Sequence, residues 1–177
     1  MGLAIVLAMR LAVPLTILRW PLGGTLLSIA ADTVDIVIYN IVGYPGVGTY
    51  QEIDKALDLW YATLNVVVVQ RWEALPRATA SALFAYRLVG VTLFEITGTR
   101  VLLLAFPNVF ELFYLAELAM RRWYRACPLG AWQTAMLVAA LTAPKLLQEY
   151  LLHDARVLDD YVLKDVVRNV INGLRGR

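Results

Sequence analysis

The chain has 177 residues, 60% of them hydrophobic and 17% charged, with a mean hydropathy of +0.63. A soluble domain with a wetted surface does not tolerate that balance, and a net charge of +2, with basic residues in short clusters at the ends of apolar runs, excludes a nucleic-acid binder. One cysteine, Cys127, and one histidine, His153, exclude an internal disulfide framework and a multi-histidine metal site within one chain.

A helix of about 20 apolar residues spans the hydrocarbon and satisfies its own backbone. By that measure six segments are predicted: Leu3 to Leu18, Pro21 to Val42, Glu52 to Val69, Ala78 to Ile96, Val101 to Met120, and Ala131 to Leu152. The first is short and carries Arg10 and Pro14, so it suits an amphipathic entry helix in the interface. Met1 to Trp20 has no basic leading region and no small-x-small cleavage site, so a removable signal peptide is not expected.

Glycine and proline punctuate the runs at Pro21 to Gly24, Gly43 to Gly48, Leu75-Pro76, Thr97-Gly98-Thr99 and Cys127 to Gly130. Pro107 and Pro144 instead fall inside helical runs, where each removes a hydrogen bond and is expected to kink its helix. Beyond the last segment, Leu158, Tyr161, Val162, Val166, Val170 and Ile171 recur at helical spacing opposite Asp159, Asp160, Lys164, Asp165 and Arg168. The expected organisation is an all-α membrane bundle over 1–153 and an amphipathic tail helix over 154–177, lying on the bilayer or against a partner. A cell membrane of the prokaryotic type is the expected location.

Within these apolar stretches lie four aspartates: Asp32 and Asp35 on the second segment, Asp54 and Asp58 on the third. A carboxylate in hydrocarbon costs roughly 2.5 to 3.5 kcal/mol on insertion scales, so such groups face a cavity, a counter-charge, a metal or a proton path. Spacings of three and four put each pair on one helix face. The Gly/Pro-rich turn makes the helices antiparallel, and at 1.5 Å rise per residue Asp35 and Asp58 both sit roughly 10 Å below the same membrane face. The four acids are therefore expected to converge. Like charges in a low-dielectric pocket require a cation, either a hard divalent ion such as Mg²⁺ or Mn²⁺, which prefers oxygen ligands, or an arginine, with Arg87 and Arg100 as candidates.

This acid skeleton resembles the signature of the CDP-alcohol phosphatidyltransferases, D-x2-D-G-x2-A-R-x8 or 9-G-x3-D-x3-D, spread over two consecutive membrane helices. Asp32 and Asp35 match its first pair, Asp54 and Asp58 its second, and the interval matches the longer spacer. The resemblance implies that Asp32, Asp35, Asp54 and Asp58 are ligands of Mg²⁺ or Mn²⁺, with Asp58 alternatively the catalytic base for an acceptor hydroxyl. It further implies a CDP-linked or lipid substrate, phospho-alcohol transfer in lipid synthesis, and a homodimer. Ile36, Tyr39, Asn40 and Tyr50 stand where the family has Gly, Ala, Arg and Gly. Those small residues let a nucleotide approach the helix backbones, so the metal site carries over further than the donor site.

Other polar residues also interrupt the apolar runs. Arg87 and Glu95 lie about 80° apart around the fourth helix and suit a bundle interior, with Arg87 and Arg100 as candidate phosphate ligands. Asn108 and Glu111 share a face beside Pro107, Glu117 is expected to pair with the basic Arg121, Arg122 and Arg125, and Lys145 with Glu149. Trp20, Trp60, Tyr61, Trp72, Trp123 and Trp132 fall near segment ends, as aromatic belts do. Arg19, Arg71, Arg77, Arg121, Arg122 and Arg125 occupy alternate connections, which turns the aspartates away from the cytoplasm; Lys55, Arg100, Arg156, Lys164 and Arg168 lie on the aspartate side and nearly cancel that bias. Two other functions fit the same acids: a cation- or proton-coupled transporter or channel with Pro107 and Pro144 as broken-helix points, and a non-catalytic membrane subunit whose acids pair with arginines.

Overall fold

Apolar runs bounded by glycine and proline become helices, and every regular element among the described residues is helical. They are α1 (Gly2–Ala12), a 3-10 segment (Val13–Leu18), α2 (Pro21–Val42), α3 (Val47–Val69), α4 (Ala74–Thr97), α5 (Val101–Ala105), α6 (Val109–Trp123) and α7 (Ala131–His153). The computed structural model describes residues 2–42, 47–99, 101–123 and 129–153, and of these the side chains of 2–5, 35–42, 47–55, 103 and 148–153 are outside the description. The all-α class expected from the sequence is thus observed.

Two segments differ from expectation. The first is α-helical only to Ala12 and then tightens into the 3-10 segment that contains the buried Pro14. The fifth is not one kinked helix but two, α5 and α6, separated at Phe106 to Asn108. Pro107 lacks the N–H that would continue α5. Asn108 then stands just before α6 with Glu111 three residues on, the pattern of a capping box, and its Nδ2 donates to Glu111 Oε2 at 3.2 Å. Pro144, by contrast, stays inside α7.

The carbonyls freed by this break are satisfied from α4: Tyr86 Oη donates to the Ala105 carbonyl at 2.5 Å and Arg87 Nη1 to that of Phe106 at 2.8 Å. Gly90 lets α4 come this close, because a Cβ there would stand 2.1 Å from Phe106 Cβ. At the other end of α4, Gly98 closes the helix at φ +66° and donates its N–H to the Phe94 carbonyl at 2.7 Å.

The tightest core gathers at one end of the bundle, where Val68, Val69 and Trp72 meet Ile17, Ala80, Phe113, Tyr114 and Leu118. Trp72 is expected in an aromatic belt but is buried, its ring stacked on Tyr114 at 5.4 Å. Trp20, Trp123 and Trp132 are exposed. Polar side chains occupy the interior as well: Thr25 and Asn65 are fully buried and hydrogen-bonded across α2 and α3 at 3.2 Å, and Arg10, Ser28, Glu117 and Thr134 are buried. Large apolar side chains meanwhile cover the exterior, among them Leu26, Leu27, Leu88, Val89, Leu93 and Ile96. Among the described residues α4 alone is long and apolar enough to cross a membrane, with 11% of its most apolar stretch buried; Val6–Leu18 and Ala56–Val69 are apolar but shorter.

Glu117 pairs with Arg121 at 3.3 Å, as its sequence position predicts. Arg121 also pairs with Glu73, just before α4, and lies 5.0 Å over the Trp72 ring. The Arg121 hydrogen bond holds the Glu73 carboxyl below the ordinary glutamate range. A depressed folded-state pKa means that the pair's contribution is present above the ordinary glutamate pKa and is lost as pH falls through the folded-state value. Thermal denaturation in detergent should therefore find Glu73→Gln less stable than wild type by up to about 1 kcal/mol near neutrality. The difference should close on acidification.

Candidate functional site: an arginine between two helix aspartates

Asp32 leaves α2 and Asp58 leaves α3 toward the same atom. Arg10 Nη2 lies 2.6 Å from Asp32 Oδ1 and 2.8 Å from Asp58 Oδ1. The Arg10 side chain is 6% exposed, whereas the Asp32 and Asp58 side chains keep 43% and 64% of their exposure. One buried cation is thus shared by two acids that rim it. Charge-assisted contacts of this length are the strong kind, and a guanidinium keeps its proton at any physiological pH.

Several contacts aim Arg10. Trp60 Nε1 on α3 donates to the Leu11 carbonyl at 3.2 Å, holding the end of α1 against α3. Pro21 starts α2 directly after the 3-10 segment, where its missing N–H is not needed. Gly24 then lets α2 cross that segment at backbone contact, since a Cβ there would lie 2.5 Å from the Ile17 nitrogen. Asp32 follows two turns further along α2, which brings it level with Arg10.

The convergence expected of the hairpin is therefore present for Asp32 and Asp58. The side chains of Asp35 and Asp54, and all of Arg100, lie outside the described residues, as do the Gly43 to Gly46 turn, Cys127 and the 154–177 tail. Among the described side chains no three Asp, Glu, His or Cys groups converge as a metal-binding set. Arg10, read from the sequence as a mark of a weak first segment, is a cation that meets both Asp32 and Asp58. Its signal was available, because a lone arginine within an apolar run calls for a partner as much as an aspartate does.

Arg87 is placed differently. Its Nη1 serves the break between α5 and α6, and its side chain lines a cavity of about 340 Å³ beside Asp58. Tyr61, Glu95, Asn108 and Glu111 line the same cavity. Glu111 accepts hydrogen bonds from Tyr61 Oη at 3.3 Å and Asn108 Nδ2 at 3.2 Å. Tyr61 also borders a smaller cavity of about 50 Å³ shared with Arg10, Asp32 and Asp58, so the ion-pair cluster and the larger cavity are neighbours across one ring. Tyr61 is absent from the sequence-derived candidates because it sits one turn beyond the last acid and reads as a belt residue.

What the cluster can do chemically follows from its donors. Carboxylate oxygens are hard ligands suited to Mg²⁺ or Mn²⁺. Arg10 stands between the two described ones, so an ion bound by both would share them with the guanidinium or displace it. Comparison with family models, with curated proteins and with solved structures finds no match to this chain.

Proposed function

We propose that this is a polytopic membrane protein whose acidic hairpin binds a divalent cation, Mg²⁺ or Mn²⁺, in support of phospho-alcohol transfer from a CDP-linked donor. Polar and charged side chains turned inward, with large apolar ones outward, support the membrane setting: Thr25 and Asn65 are 0% exposed and Arg10 7%, whereas Ile96 is 75% exposed. The observation that carries the site is the meeting of Asp32 and Asp58, from separate helices, on one guanidinium nitrogen. The resemblance of the acid skeleton supplies the reaction class.

Four aspartates contribute four negative charges and Arg10 returns one, leaving a formal excess of three negative charges that one divalent ion would bring to −1 and two to +1. Asp32 and Asp58 would be ligands, with Asp35 and Asp54 completing the set, and a bound ion would supply charge neutralisation for a pyrophosphate. In this reading Asp58 is the group next to the cavity and thus the one placed to accept a proton from an acceptor hydroxyl. Arg87, lining the same cavity, is the candidate phosphate partner, together with Arg100.

A second reading is favoured by the same contact. Arg10 as a permanent counter-ion leaves no need for a metal, and the break at Pro107 resembles the discontinuous helices of transporters; a cation- or proton-coupled transporter or a non-catalytic subunit then follows. Manganese titration of the purified chain in detergent, read by electron paramagnetic resonance, separates the two. The metal reading expects saturable Mn²⁺ binding, lost in Asp32→Asn and Asp58→Asn, and release of CMP from a CDP-alcohol donor. Wild type without bound Mn²⁺ would end it.

A further inference from the structure

The end of the bundle that holds the tightest core is rich in positive charge that the acidic hairpin does not use. Three chain segments meet there. Arg71 Nη1, in the connection from α3 to α4, donates to the Leu18 carbonyl at the end of the 3-10 segment at 3.4 Å, and Arg121, near the end of α6, pairs with Glu73 of the same connection. Together residues 18–20, 70–77 and 121–123 hold five arginines, Arg19, Arg71, Arg77, Arg121 and Arg122, against one acid, Glu73. Glu73 is taken by Arg121, whose other acid is the buried Glu117. Among the described residues Arg19, Arg77 and Arg122 make no ion pair, and like Arg71 they are exposed. Local acids do not offset them: neither α2 nor α4, which both begin here, has an acid in its first turn, and Arg77 ends the first turn of α4, where the helix dipole disfavours a cation.

Like charges gathered at a surface attract anions, and guanidinium groups match phosphate oxygens bidentately. The neighbouring side chains identify the source of the phosphate. Trp20 follows Arg19 and is 65% exposed, and Trp123 follows Arg122 and is 70% exposed. Indole rings settle at the level of lipid headgroups, apolar body toward the chains and N–H toward water. A nucleic acid or an acidic soluble protein would meet the charges and leave the rings in water. A phospholipid leaflet covers the rings and brings phosphate to the arginines at once.

We propose that this arginine-rich end binds the headgroups of anionic phospholipids in the surrounding leaflet, with Arg19, Arg77 and Arg122 as the principal phosphate partners. This surface presupposes the membrane setting proposed above but makes no use of the divalent-cation site.

Quenching of tryptophan fluorescence by brominated phospholipids tests this, with the full chain reconstituted in vesicles of mixed phosphatidylglycerol and phosphatidylcholine and the bromines on one lipid or the other. Phosphatidylglycerol should compete for the protein surface about fivefold better than phosphatidylcholine, an advantage on the order of one arginine at a charged lipid surface. Raising salt to about 1 M, where the screening length falls to about 3 Å, should remove most of that preference. The combined variant Arg19→Gln, Arg77→Gln and Arg122→Gln should bring the two lipids to parity. Equal quenching by the two lipids in wild type, or a preference indifferent to salt or to the triple variant, would overturn the proposal and leave the membrane setting standing. Absence of quenching by either lipid would overturn both. The wild-type comparison and its salt dependence decide the matter even where the triple variant fails to fold.

Discussion

Arg10→Met destabilises the protein by about 3 kcal/mol, toward the low end of what breaking a buried ion pair costs. Methionine keeps the volume of the aliphatic stem, so the loss is electrostatic. Asp32 and Asp58 are left as like charges with their shared cation gone, and their remaining exposure, 43% and 64%, keeps the penalty from reaching the top of the range. The companion experiment removes the charges together. In Arg10→Met with Asp32→Asn and Asp58→Asn no uncompensated charge remains, and at least half of the lost stability returns in chemical denaturation of the detergent-solubilised chain. If the triple variant were as unstable as Arg10→Met alone, the guanidinium would act through packing and the ion-pair account would fail.

The second large effect falls on adjacent glycines, with opposite outcomes. A Cβ at Gly24 meets the Ile17 backbone nitrogen at 2.5 Å and its Cα at 2.7 Å, whereas at Gly23 the nearest atoms, from 2.7 Å, belong to the Trp20 ring. Backbone cannot step aside, but an exposed indole can. Gly24→Ala therefore overpacks by up to about 3 kcal/mol, offset by the roughly 1 kcal/mol that alanine gains over glycine within a helix. A net loss of about 2 kcal/mol is expected from these two effects. Gly23→Ala stays within about 1 kcal/mol of wild type, on the stabilising side. The consequence for function is direct, because the crossing at Gly24 sets the distance from the 3-10 segment to α2 and so the reach of Arg10 to Asp32. Gly24→Ala should weaken any Mn²⁺ binding along with stability, while Gly23→Ala should change neither; equal midpoints for the two variants would contradict the close crossing.

These two cases mark where local and non-local information divide. The helices, their order, and the pairs within one helix follow from the sequence alone. Glu117 meets Arg121 and Asn108 meets Glu111 because residues three and four apart share a helix face whatever the rest of the chain does. The approach of Asp32 to Asp58 follows nearly as directly, since a tight connection between two helices leaves them little choice but to run antiparallel. The split at Pro107 lay at the edge of legibility: an asparagine followed by a glutamate at a capping-box interval was present, but a proline in an apolar run reads first as a kink.

Only the tertiary structure decided which cation meets the acids. Arg10 and Asp58 are 48 positions apart, and nothing in the spacing favours Arg10 over Arg87. The choice rests on a helix crossing that needs a missing Cβ at Gly24, and on a break at Phe106 whose freed carbonyl engages Arg87. Burial of Trp72 has the same origin, since its ring stacks on Tyr114, a residue of α6 that no local pattern associates with it. Helix periodicity depends on neighbours within about four residues and is written into the chain; the partner of a buried charge depends on which helices pack closely enough to exclude solvent between them, and that is a property of the assembled bundle.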